Sequence, residues 1–261
     1  VKARALVLNG YGINCPYETA YAVRASGGEA EIRHVSELIS DKSLLYKYNF
    51  LILPGGFSFG DDISSARVLA NRLRFNLGFD LLRFVNDGKL VLGICNGFQA
   101  LVKMGLLPEP DYVQRTTLTH NQSGKFEDRW ITLKMNAESP CVFTRGIGTL
   151  ELPVRHGEGR FIPATKEVLE SLQKENLIAC RYAGPGGKEN PGYPYNPNGS
   201  VMGIAGICDR SGRVFGLMPH PEAYNHRTNN PKWTRGVGET GRGLEVFRNA
   251  VRYLEEKGGR A

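Results

Sequence analysis

The run Val91-Leu92-Gly93-Ile94-Cys95-Asn96-Gly97-Phe98-Gln99-Ala100 constrains the fold of this chain more than any other segment. Lys89 to Ile94 reads as a buried strand, and Asn96 to Met104 as a helix with Phe98, Leu101 and Val102 on its apolar face. A cysteine stands at the junction, with glycine two residues before it and two after. This is the thiol counterpart of a strand–turn–helix nucleophile elbow. Glycines suit it because the turn is tight and a Cβ would collide with its neighbours. The thiol is then held at the end of a sheet and at a helix N-terminus, where the dipole and free N–H groups favour thiolate. A buried structural cysteine after a core strand is the competing reading, and two distant segments weigh against it.

In the first, Gly212 to Glu222, a strand ends at Pro219, followed by His220, Pro221 and Glu222. The flanking prolines stiffen the backbone of His220. Residues two apart in extended chain point the same way, so the carboxylate can orient the imidazole. Alone, this stretch favours a surface loop with a solvated His and Glu. In the second, Phe50-Leu51-Ile52-Leu53 runs into Pro54-Gly55-Gly56. Paired glycines after a strand let backbone N–H groups approach a negative oxygen, although an ordinary β-to-α turn also favours Pro and Gly. Nucleophile, base, orienter and oxyanion donors, each at a strand end, together make an acyl-transfer set, because open α/β sheets build sites at the carboxyl ends of strands.

The rest of the chain supports an α/β fold. Strands are expected at Arg4–Asn9, Glu29–Val35 and Asn49–Leu53, with helices at Tyr17–Ser26 and Ser64–Val85. The second half is richer in strand: Tyr112–Leu118, Trp130–Met135, Gly148–Val154, Leu177–Tyr182, Val201–Cys208 and Arg213–Met218. A helix at Glu239–Glu256 follows, and Gly184–Gly199 is expected to be loop. We expect a single domain over residues 1–261, with a mixed, mostly parallel central sheet, flanking helices and strand-rich insertions.

These residues resemble the class I, triad-type glutamine amidotransferases, which have a flavodoxin-like fold. The resemblance is closer to one branch, the glutaminase subunit of phosphoribosylformylglycinamidine synthase. It rests on Asn14-Cys15-Pro16-Tyr17-Glu18, Pro54 to Asp61, Gly93 to Gln99, His156-Gly157-Glu158-Gly159-Arg160, Tyr195 to Ser200 and Met218 to Glu222, in order from about Ala3 to about Tyr253. It implies hydrolysis of L-glutamine to glutamate and ammonia, with Cys95 as nucleophile, His220 as base and Glu222 as orienter. The backbone N–H groups of Gly56 and Asn96 would form the oxyanion hole. Gln99, Phe57 and the backbone around His156 and Gly157 would hold the substrate. The implied partners are a synthetase subunit, which uses ATP and Mg, and a small bridging subunit. No cofactor or metal is expected in this chain.

Composition narrows the alternatives. Five scattered cysteines, an odd number and without a C-x-x-C, suggest a reducing, cytoplasmic setting and argue against a zinc site. The formal charge of +7 is spread along the chain, which does not fit a nucleic-acid groove. No apolar run approaches a membrane span, and no signal peptide is expected. Gly236 to Gly241 spells G-x-G-x-x-G but follows no strand, so nucleotide binding there is discounted. Cys15 is expected to be structural or near the substrate.

Overall fold

The computed structural model describes residues 1–189, 191–236 and 241–258. Five strands form the parallel part of a nine-stranded sheet: β1 (Arg4–Asn9), β2 (Glu29–His34), β3 (Phe50–Leu53), β4 (Leu90–Ile94) and, far along the chain, β11 (Val214–Leu217). Their order is β2-β1-β3-β4-β11, which is the flavodoxin-like order with β11 as the fifth strand. Helices α1 (Pro16–Ala25) and α6 (Leu244–Gly258) cover one face. On the other lie α2 (Val35–Ser40), α3 (Arg67–Asn86) and α4 (Asn96–Met104), packed on Leu8, Leu51 and Leu53. Because both faces are covered, β3 and β4 are buried at every position, which explains their unbroken apolar sequence.

Between α4 and β11 the chain adds an antiparallel extension. β10 (Ile204–Cys208), β9 (Ile178–Ala183), β6 (Glu127–Met135) and β7 (Thr149–His156) follow β11 in that order. β5 (Thr116–Thr119) and β8 (Arg160–Pro163) pair separately, and α5 (Lys166–Lys174) follows β8. Leu118 and Phe161 of that pair are buried, and the Phe161 ring stacks on Phe98 of α4 at 6.4 Å.

Several boundaries differ from expectation for identifiable reasons. Residues 112–115 are not strand: Tyr112 has φ +64°, and Asp111 caps the Val113 N–H at 2.9 Å. α3 starts at Arg67 rather than Ser64 because Ile63 and Ala66 hold positive φ and Asp61 accepts the Ala66 N–H. Val201–Gly203 is a 3₁₀ turn with Met202 at φ +52°. β7 runs on to His156, and β8, α2 and α5 are additional elements. Residues 237–240 of the G-x-G-x-x-G segment, and residues 239–240 of the expected last helix, lie outside the described residues. No helix among the described residues is long and apolar enough to cross a membrane.

α4 is buried along its whole length and seats on β11 because Gly216 leaves room for the Phe98 ring. A Cβ at Gly216 would overlap that ring. Gly216→Ala is expected to cost about 1–3 kcal/mol, as overpacking does, read as a lower thermal midpoint. An unchanged midpoint would show that Phe98 has another place to go.

Candidate active site

Cys95 links β4 directly to α4, with φ +50° and ψ −104°. A non-glycine residue held there stores about 1–3 kcal/mol of strain and persists only when its surroundings enforce it. They do: the Cys95 N–H donates to Leu217 of β11 at 2.8 Å, and its carbonyl accepts from Gln99 at 3.0 Å. At Gly97 a Cβ would overlap the Leu53 carbonyl oxygen of β3, so only glycine lets α4 start this close to the sheet. Cys95 Sγ, 5% exposed, points at the Arg155 carbonyl 3.8 Å away. The positive end of α4 begins at this residue.

His220 leaves β11 through Met218 and Pro219, and its N–H donates to the Pro153 carbonyl of β7 at 2.9 Å. Its Nδ1 lies 2.6 Å from Glu222 Oε1, and both residues are buried. Nε2 of His220 has no hydrogen-bond partner among the described residues. Burial opposes protonation of this imidazole. The Glu222 carboxylate, with the Cys95 and Cys15 sulfurs nearby, outweighs it and raises its pKa well above the ordinary histidine value. The structure therefore brings Cys95, His220 and Glu222 together from elements more than a hundred residues apart.

Gly56 and Asn96 lie at the ends of β3 and β4. Gly56 has φ +155°, and a Cβ there would stand 2.6 Å from the Gly12 carbonyl oxygen. The neighbouring groups pair with the first loop: Asn14 N–H to Gly55 O at 3.1 Å and Phe57 N–H to Gly12 O at 2.7 Å. This alternation turns the Gly56 N–H away from that loop. The Asn96 side chain secures the same turn. Its Oδ1 accepts from Ser58 N–H at 3.1 Å, and its Nδ2 donates to Asp61 at 3.1 Å. Lys103, buried on α4, donates to the Ser65 carbonyl and to Ser64 Oγ.

Gln99 is buried, and its amide donates to the Glu158 carbonyl and accepts from Asn96 Nδ2 at 2.9 Å. Phe57 is 46% exposed and faces Phe126, with ring centroids 6.3 Å apart. A Cβ at Gly157 would reach the Phe126 ring at 4.0 Å, so Phe57, Phe126 and Gly157 share one rim. The His156 side chain is buried in a polar network that local sequence did not signal. Its Nδ1 donates to Asn121 Oδ1 at 3.0 Å, and Asn198 Nδ2 lies 3.5 Å from its Nε2. Asn121 also donates to the His156 carbonyl, and Asn198 accepts from Ser200 Oγ at 2.7 Å. The His-Gly-Glu-Gly-Arg and Asn-Pro-Asn-Gly-Ser segments thus form one cluster. Arg155 is a further unforeseen neighbour, with one guanidinium nitrogen 3.3 Å from His220 Nδ1 and 3.8 Å from Cys15 Sγ. Burial pushes the Cys15 thiol up, only partly offset by the neighbouring His220 imidazole. Among the described residues, Cys15, His220 and Glu222 form the one group spaced to hold a metal ion, with ligand atoms within 4.8 Å of one another.

Burial lowers the pKa of His156 to about 3. Its folded value lies below its unfolded value, so the unfolded chain takes up a proton that the folded chain refuses. Stability is therefore lost as pH falls below about 6.5 towards 3, by about 1.4 kcal/mol per pH unit. The stability advantage of the wild type over His156→Gln is expected to shrink at about that rate between pH 6 and 4 in urea titrations. An advantage independent of pH would contradict a neutral His156.

The CobB/CobQ-like glutamine amidotransferase domain model matches residues 2–254. The chain is 46% identical over 257 residues to the phosphoribosylformylglycinamidine synthase subunit PurQ of Dehalococcoides mccartyi, covering 98% of this chain and 99% of the relative. It is 41% identical over 270 residues to the subunit of the same name from Methanococcus maripaludis, covering 98% and 99%. Among solved structures it superposes on a chain of PurLQS from Thermotoga maritima with a TM-score of 0.72 and 30% identity, covering 97% and 100%. A putative GMP synthase component from Thermoplasma acidophilum shares the fold, with a TM-score of 0.57 at 16% identity, covering 99% and 98%. From its elbow cysteine to its full-length relatives, the chain belongs to the CobB/CobQ-like glutamine amidotransferase family and, within it, to the PurQ subunits of phosphoribosylformylglycinamidine synthase.

Proposed function

We propose that this chain is the glutaminase subunit of phosphoribosylformylglycinamidine synthase. It hydrolyses L-glutamine and supplies the ammonia for ATP-dependent conversion of formylglycinamide ribonucleotide to formylglycinamidine ribonucleotide in purine biosynthesis. The observation that carries the catalytic reading is the placement of Cys95 at the start of α4 beside the buried His220–Glu222 pair. Cys95 sulfur attacks the side-chain amide carbon, and His220 takes the thiol proton. The carbonyl oxygen becomes an oxyanion facing the N–H groups of Gly56 and Asn96, each worth about 3–4 kcal/mol of barrier. His220 returns the proton to the leaving nitrogen, ammonia departs, and a glutamyl thioester remains. Water, deprotonated by His220, then releases glutamate and restores the thiol. Glu222 keeps the Nδ1 proton in place, so that Nε2 is free to accept.

The amino-acid end of glutamine lies along Gln99, Phe57 and the backbone of His156 and Gly157 in this reading. The shared rim of Phe57, Phe126 and Gly157, with Gln99 tied to Glu158, supports it. The reaction needs no cofactor in this chain. The whole of residues 1–261 acts as one catalytic unit in the cytoplasm. The synthetase subunit, with ATP and Mg, and a small bridging subunit complete the assembly; the name of the Thermotoga neighbour, PurLQS, supports that composition.

Glutamate release should be slow for the isolated chain and rise when synthetase, ATP and formylglycinamide ribonucleotide are added, because an uncoupled glutaminase would waste glutamine. Cys95→Ala should abolish glutamine-dependent synthesis in the reconstituted complex and leave ammonia-dependent synthesis intact. Glutamine-dependent synthesis by Cys95→Ala would remove Cys95 as nucleophile. Glu222→Gln should lower glutaminase kcat by at least about 10²-fold, within the range of lost acid–base catalysis. A loss confined to KM would contradict its orienting role.

A further inference from the structure

The Nδ1 edge of His220 is a convergence point that the glutaminase reaction does not fully use. Glu222 Oε1 lies 2.6 Å from Nδ1, and an Arg155 nitrogen lies 3.3 Å away. That same nitrogen is 3.8 Å from Cys15 Sγ. A cationic group therefore already sits where a thiol, an imidazole and a carboxylate meet. Cys15 is 6% exposed, His220 2% and Glu222 0%, and Glu222 Oε2 is buried without a hydrogen-bond partner among the described residues. Arg155 and Glu222 also line an open basin of about 430 Å³, together with Glu18 and His226, and Cys95 is not part of its lining. The basin gives the guanidinium a place to swing and a small cation a way in.

We infer that Cys15, His220 and Glu222 form an inhibitory site for a thiophilic divalent cation, with Zn²⁺ as the best match. Thiolate sulfur, imidazole nitrogen and carboxylate oxygen are the donors zinc prefers, at about 2.0–2.3 Å, with a fourth position left for water. Three atoms already within 4.8 Å of one another need only small adjustments to enclose it. The charges balance: one thiolate and one carboxylate neutralise the ion, so the buried complex is neutral. On binding, the Cys15 proton and the His220 Nδ1 proton leave to solvent, zinc takes the freed Nδ1 lone pair, and the one proton left on the imidazole sits on Nε2. An imidazole protonated at Nε2 accepts nothing from Cys95, so zinc silences the base without touching the nucleophile. The absence of a C-x-x-C argued against a zinc site because that pattern is local, whereas these donors come from the loop just before α1 and the turn after β11.

The inhibition rests on the role proposed for His220, whereas the binding does not. The full chain is titrated with zinc chloride against a chromophoric chelator, as wild type, Cys15→Ser and Cys95→Ser. Wild type and Cys95→Ser should each hold one zinc per chain with similar affinity, and Cys15→Ser should bind at least about 10-fold more weakly, as loss of a metal-site partner does. Zinc inhibition of glutamate release in the reconstituted complex should shift by the same factor in Cys15→Ser. Should Cys15→Ser fail to fold, Co²⁺ provides the second reading: a thiolate-to-cobalt charge-transfer band is expected in wild type and in Cys95→Ser. No zinc retained, equal affinity in Cys15→Ser, or loss of binding and of the cobalt band in Cys95→Ser would each overturn the site. Zinc bound as described with glutaminase undiminished would instead overturn the base role of His220.

Discussion

Gly97 meets the carbonyl of Leu53 so closely that no larger residue fits between α4 and β3. This contact draws the first turn of α4 down onto the sheet, with Cys95 held at the positive φ of the elbow. The strain is balanced by the Leu217 and Gln99 hydrogen bonds and by burial of the entire helix. Once α4 is seated, the rest of the site has fixed anchors. Asn96 and Lys103 hold the turn after β3, Phe98 locks against Gly216, and Gln99 reaches across to Glu158.

The antiparallel extension contributes more than added mass. β7 supplies the Pro153 carbonyl that holds the His220 backbone and the Arg155 carbonyl that faces Cys95. Its end is fixed by a buried polar cluster of Asn121, His156, Asn198 and Ser200. Buried polar groups carry a large cost if left unpaired, so such a cluster specifies one arrangement or none. Two segments about forty residues apart are thereby held in a single register at the end of β7, whose Arg155 carbonyl faces Cys95. The neutral His156 is part of this framework, distinct from the charged environment of His220.

Much of the core was legible because it follows local rules. β1, β3 and β4 are short apolar runs bounded by turn residues, and α4 has the expected limits because the glycines and Cys95 mark its start so sharply. α5 escaped because its surface is polar and Leu172 is its one fully buried side chain, although Thr165 caps it. β8 escaped because its partner, β5, lies some forty residues upstream. Asn121, Asn198 and Arg155 carry no local signal, and their places follow from β6, β7 and the loop before β10 being brought together. The approach of Cys15 to His220 likewise depends on the packing of the first loop against Gly55.

The central claim is that the strained elbow makes Cys95, among five buried cysteines, the one that attacks an amide carbon held beside it. The most direct measurement is covalent labelling of the native protein by a chloroketone analogue of glutamine, followed by peptide mass mapping. One label per chain is expected, on Cys95, suppressed by excess glutamine and lost when His220 is replaced by alanine. Labelling of Cys15 in place of Cys95, or labelling of Cys95 indifferent to glutamine, would contradict that claim.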